Sequence, residues 1–226
     1  NPALRATRAL STAITDPSGF ALATPPGVRK DALTAAFLRC ASPVEGGGLR
    51  AAAQRAVSTS VGVMERLNGA DLDRALPSAP ADPGTGEYVA GDVTTGLQVA
   101  ANLIAADLGT QLIVVNAGGF DTHANQANTH KALLADVAGG IARFQQAITR
   151  SGHASRVLLM TTSEFGRRAR ENGSGTDHVN GGSHFVVGAG VKGSLVGSPN
   201  LAKLDPQGDV AASIDVRSLY AVGLTW

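Results

Sequence analysis

Apolar positions recur along this chain with two periods. Behind Asp31, a residue suited to an N-cap, the run Ala32-Leu-Thr-Ala-Ala-Phe-Leu-Arg39 places apolar side chains at helical spacing. Leu49, Ala53, Ala56, Val57, Val61, Met64 and Leu67 form one stripe of a helix over 49–68, and Asn68-Gly69 is its natural stop. Leu97, Ala100, Ala101, Ile104 and Leu108 predict a helix over 93–108, with Asp92 at the cap position. Leu133, Leu134, Val137, Ile141, Phe144 and Ile148 predict another over 129–150, and Asp215 precedes a last helix over 216–224. The shorter runs differ in kind. Residues 111–116, 156–162 and 184–188 are short, β-rich runs with apolar centres, as in strands buried on both faces of a parallel sheet. Helices alternating with such strands predict an α/β fold, a mostly parallel sheet flanked by helices.

Turn-forming residues punctuate the rest. Asp16-Pro-Ser-Gly19, Thr24-Pro-Pro-Gly27 and Ser42-Pro-Val-Glu-Gly-Gly-Gly48 break helices, and residues 77–91, rich in Pro, Gly, Ala and Asp, read as an exposed loop. With no repeat and no clear linker, residues 1–226 read as a single α/β domain. Residues 1–92 are its helical, loop-rich flank, and 93–226 its sheet-forming part.

Composition narrows the function. Nineteen basic residues nearly balance eighteen acidic ones, for a net charge of +1, and the densest basic group is Arg167-Arg-Ala-Arg170. That is no footprint for nucleic acid and no polybasic membrane signal. Aromatics are only 4%, too few for the stacking platforms of single-strand binders. The single cysteine, Cys40, leaves the compartment undecided, no run approaches the ~18 apolar residues of a membrane span, and no signal peptide is visible. The missing initiator Met fits a processed or partial form.

Charged residues gather just after the predicted strands, where ligands bind in open α/β sheets. Residues 111–116 lead into Gly118-Gly-Phe-Asp-Thr-His123. On an extended chain, Asp121 and His123 would point to the same side, a carboxylate and an imidazole fit to begin a zinc or transition-metal site. The same pair also reads as a turn aspartate capping the next helix beside an exposed histidine. Glu164, in Ser163-Glu-Phe-Gly-Arg167, reads as a ligand or base, or as half of an ion pair with Arg167 or Arg168. Arg167 could instead clamp an anion bidentately. Asp177 and His178, between Gly173-Ser-Gly175 and Gly181-Gly182, suggest a loop whose backbone approaches a ligand, or simply a flexible loop carrying a histidine. His130 and His184 stand further out, and His153 carries no assigned role. Ser163 is not in a G-x-S-x-G elbow, and no G-x-x-x-x-G-K-[ST] or G-x-G-x-x-G unit supports nucleotide chemistry.

Gly118-Gly-Phe-Asp-Thr-His-Ala-Asn-Gln126, His130, Ser163-Glu-Phe-Gly-Arg167, Glu171-Asn172, Gly175-Thr-Asp-His178, Val191-Lys-Gly193 and Asp215-Val-Arg-Ser-Leu-Tyr220 resemble, in this order, the bacterial domain-of-unknown-function 1501 family. The resemblance covers residues 95–226 well. It implies export by the twin-arginine route, hence a periplasmic or secreted protein, and a likeness to the alkaline phosphatase and sulfatase superfamily. That likeness implies an alkaline phosphatase-like sheet with metal at the strand ends. By position, Asp121 and His123, then Glu164, then His178 would match the superfamily's metal-binding motifs. Taken with the residues' own chemistry, the expected metal ligands are Asp121, His123, Asp177 and His178, and the expected catalytic residues Glu164 and Arg167. The implied cofactor is a divalent metal (zinc, manganese or calcium), and the implied substrate a small anionic phosphate or sulfate ester, or a glycan. Two departures matter. Ser-Glu-Phe-Gly stands where the superfamily has Asp-His/Asn-Gly, and no Gly-Gly-x-Asp-Gly stretch precedes residue 95, so the fold is expected to be incomplete at its N-terminus and no nucleophile is assigned. The alternative expectation is a catalytically inactive exported binding or assembly protein on the same fold.

Overall fold

The structure, a computed structural model, describes residues 24–40, 48–72, 74–76 and 92–226. The predicted turn at Asp16 and the loop over 77–91 lie outside the described residues, as does most of the breaker before Gly48. Five helices carry most of the regular structure: α1 (Lys30–Cys40), α2 (Leu49–Asn68), α3 (Asp92–Ala105), α4 (Gln126–Arg150) and α5 (Val216–Thr225). The chain divides into two compact units, the first containing residues 1–74 and 102–111, the second 75–101 and 112–226.

In the first unit α1 packs against α2. Asp31 sits inside the first turn of α1 and pairs with Arg29 rather than standing before the helix. The predicted stripe of α2 is realised only in its second half. Val61, Met64 and Leu67 are buried, while Leu49 is 91% exposed and Ala53 and Ala56 face solvent. Gly69 ends the helix by donating its N–H to Glu65 O (3.1 Å). Side-chain amides and guanidinium groups tie the remaining backbone in place. Asn102 Nδ2 donates to the carbonyls of Leu72 and Arg74 (2.8 Å each), and Arg66 Nη2 to that of Asp107 (2.7 Å).

The second unit is built on α4. Its apolar stripe buries Phe144 and Ile148, and the facing part of α3 buries Leu97, Ala100 and Ala101. Phe144, Ile148 and Leu97 each stabilise the unit by about 1.5–3 kcal/mol relative to exposure. The start of α3 is capped from α4, for Asp136 accepts from Val93 N (3.2 Å) and from the buried Thr94 hydroxyl (2.7 Å). A carboxylate there satisfies open N–H groups and favours the positive end of the helix. Gly96, inside α3, lets the chain at Val115 come close: a Cβ at Gly96 would lie 2.5 Å from Val115 Cγ1.

Four short strands complete this unit, and they correct the expected fold. β1 (Leu159–Met160) pairs antiparallel with β4 (Val186–Val187), and β2 (Gly166–Glu171) pairs antiparallel with β3 (Thr176–Val179). Among the described residues there are two two-stranded antiparallel sheets and no parallel one, so the mostly parallel, alkaline phosphatase-like sheet is overturned. The physical reason lies in partners. A strand of a parallel sheet needs a parallel neighbour reached by a crossover connection, and cover on both faces. Residues 111–116 form no strand and pair with no described strand, and Leu112 and Val114 stay 60% and 71% exposed. The run over 156–162 yields only two strand residues, and its partner is the run over 184–188, folded back against it.

The β2–β3 hairpin is the element that the apolar pattern does not announce. Its first strand, Gly-Arg-Arg-Ala-Arg-Glu, is mostly charged. Arg168 anchors that strand by reaching the nearly buried Asp209 with both arms, Nε to Oδ1 and Nη2 to Oδ2, each at 3.2 Å. Helix α5 is capped as expected, Asp215 accepting from Arg217 N (2.8 Å). It meets the β1–β4 pair through Tyr220, whose hydroxyl lies 3.0 Å from Thr162 Oγ1, and Trp226, whose ring covers Gly188 and Gly190. No helix among the described residues is long and apolar enough to cross a membrane.

Candidate metal centre

Asp121 and His123 lie on the coil between α3 and α4, not at a strand end. His178 lies on β3, opposite Arg167 of β2. Two close approaches bring the segments together. Gly175 lies against the main chain of Thr122 and His123, where a Cβ would come within 2.4 Å of the His123 carbonyl group. Gln126 N donates to Ser174 O (2.9 Å), and Asn125 N to Ser174 Oγ (3.1 Å), locking the start of α4 to the hairpin turn. Glycine is therefore required at 175 by space.

The result is a cluster around one oxygen. Asp121 Oδ1 is 2.6 Å from His178 Nε2, 2.9 Å from His123 Nε2 and 3.3 Å from Arg167 Nη2. Chiefly through the hydrogen bond from His178, and further through the charges of His123, His178 and Arg167, the Asp121 carboxyl is held below the usual carboxylate range. Phe165 stacks on the His178 ring, with centroids 4.0 Å apart and planes 12° from parallel. The three side chains that meet here remain open to solvent, Asp121 at 63%, His123 at 47% and His178 at 43%.

Asp121, His123 and His178 each offer a ligand atom, all within 4.8 Å of one another. One carboxylate and two imidazoles suit zinc or manganese better than calcium, which takes six to eight oxygens. The donor set thus fits a transition-type divalent ion. Asp177 stands outside the triad. Its Oδ1 is 3.6 Å from His123 Nδ1 and accepts from Asn172 Nδ2 (2.8 Å), a placement suited to orienting His123 rather than joining the other three.

Glu164 is exposed and has no hydrogen-bond or ion-pair partner among the described residues, so the expected pairing with Arg167 or Arg168 is not formed. Arg167 turns inward instead. Nη1 donates to Thr176 O (2.6 Å) and Nη2 to Phe120 O (2.7 Å). His130 meets Phe120 edge-on, with centroids 5.7 Å apart, on the wall of a groove shared with Lys131, Leu134 and Glu171. His153 accepts from Arg156 Nη2 (2.7 Å), away from the cluster in a plain turn. Sequence reasoning missed Phe165 as the support of His178. It did mark the glycines around Asp177, but Gly175 makes room for protein backbone at His123.

A family described as "Protein of unknown function (DUF1501)" matches residues 53–221. The chain belongs to that family. No curated protein and no solved structure matches it.

Proposed function

We propose that this protein binds a divalent metal through Asp121, His123 and His178 and acts as a hydrolase of phosphate or sulfate esters. The supporting observation is the convergence of two imidazole nitrogens on one carboxylate oxygen, from segments far apart in sequence. Such a metal would lower the pKa of a bound water and stabilise negative charge on an ester oxygen. The open faces of the three side chains leave room for water and substrate. The nearby guanidinium of Arg167 disfavours a cation by repulsion but favours an anionic ester.

Glu164 stands on an exposed bend and is not among the three residues that meet. A second reading keeps the metal site without turnover, the protein serving as an exported binding or assembly protein; the Ser-Glu-Phe-Gly segment, where the superfamily has Asp-His/Asn-Gly, favours it. Elemental analysis of the purified protein, alongside His123→Ala and His178→Ala, tests the metal. About one equivalent in the wild type, lost in both variants, supports the site, and no uptake after soaking with zinc or manganese rejects it. An ester-hydrolysis screen on the metal-loaded protein then separates the two readings.

A further inference from the structure

Arg167 is the least exposed charged group of the cluster, its side chain only 15% accessible. Its donors go to main chain on both sides of the site. Nη2 reaches Phe120 O, one residue before Asp121, and Nη1 reaches Thr176 O, two residues before His178 on the same strand. The same Nη2 also reaches Asp121 Oδ1. One planar group therefore spans the two segments that carry the cluster. The guanidinium also lies over the Phe165 ring, 5.0 Å from its centroid, and the same ring stacks on His178.

We infer that Arg167 is a positioning residue: its rigid fork sets the spacing between the Asp121 segment and β3, and through Phe165 it sets the plane of the His178 ring. The inference rests on the metal-binding reading for its consequence, but not for its geometry. Arginine suits the task because its donors are held in one plane, whereas a lysine ammonium is a point charge on a flexible stem.

Charge and geometry predict opposite signs. If Arg167 mattered only as a positive charge, Arg167→Met would tighten zinc binding by removing repulsion, and Arg167→Lys would leave it unchanged. A positioning fork predicts weakening in both, by roughly the 10–100-fold typical of lost supporting contacts around a metal site. Zinc affinity is read by competition with a chromophoric chelator on the full chain. Affinity within about twofold of wild type in Arg167→Lys, or tighter binding in Arg167→Met, overturns the inference.

A readout without metal keeps this test separate from the function. The His178 ring protons sit over Phe165 and carry its ring-current shift in the metal-free protein. Both variants are expected to lose most of that shift, with the helical signal retained. An unchanged shift overturns the inference even in a protein that binds no metal. A wild type that takes up no zinc but whose variants lose the shift refutes the metal-binding reading and leaves the positioning role standing.

Discussion

Arg168 and Asp209 form a two-armed ion pair in which the carboxylate is almost fully buried, 5% accessible, and the guanidinium about one-third exposed at 33%. The arginine also donates to Gln207 O (2.7 Å), so one side chain pins the turn over 205–209 to strand β2. Removing one partner of a fully buried pair costs about 3–5 kcal/mol. With Arg168 partly solvated, Asp209→Ala is expected to cost about 2 kcal/mol, read as a lowered midpoint in denaturant at unchanged slope. A change below about 0.5 kcal/mol would place this pair among ordinary surface contacts.

Ile148 is wholly buried in α4. Ile148→Ala is expected to destabilise the second unit by about 2–5 kcal/mol, and Ile148→Val by about 0.5–1.5 kcal/mol. Calorimetry of both variants checks the ratio. Equal, small effects would mean that the α4 stripe does not form the core.

Gly175→Ala places a methyl group where the His123 carbonyl already stands. The hairpin and the Asp121 segment must then part, because backbone on both sides cannot yield as a flexible side chain can. On the proposed metal site, the expected result is loss of metal uptake with nearly full helical signal. Wild-type metal content in this variant would show that the two segments do not depend on this approach.

The Asp121 carboxyl is held low in the folded protein, first by the hydrogen bond from His178. A carboxyl with a depressed folded-state pKa adds stability above its unfolded pKa and loses it as pH falls through the folded value. That contribution is whole above about pH 4 and fades below it. The stability difference between wild type and Asp121→Asn should be larger near pH 5 than near about pH 2.5. Urea melts at the two pH values check this, and a pH-independent difference would refute it.

The helices were legible because apolar spacing and caps are local properties. Helix α2 ends where Asn68-Gly69 says it should, and α5 begins after its Asp215 cap. The sheet was not legible. Residues 111–116 and 156–162 carry strand chemistry, but strand pairing depends on partners elsewhere, and apolarity alone does not separate a parallel neighbour from an antiparallel one. β2 escaped notice because its arginines look like solvent residues, although Arg167 and Arg168 each bind inward. The spacing of Asp121 and His123 and the glycines around Asp177 and His178 mark residues that the structure brings near one another, His123 and His178 at Asp121 and Asp177 at His123. Glu164 follows an apolar run, but the strand residues of that run are only Leu159 and Met160, so Glu164 does not stand at a strand end.

The bare stretch over 112–115 also bears on handling. Leu-Ile-Val-Val is uncharged and free of proline, and Leu112 and Val114 stand largely in water outside any helix or strand. Segments of this kind seed cross-β stacking when many copies meet. Concentrated stocks should therefore cloud or gel on storage, with nucleation lags and growing thioflavin fluorescence. One charge inside the run, as in Val114→Lys, should lengthen the lag while leaving the Asp121–His123–His178 cluster untouched.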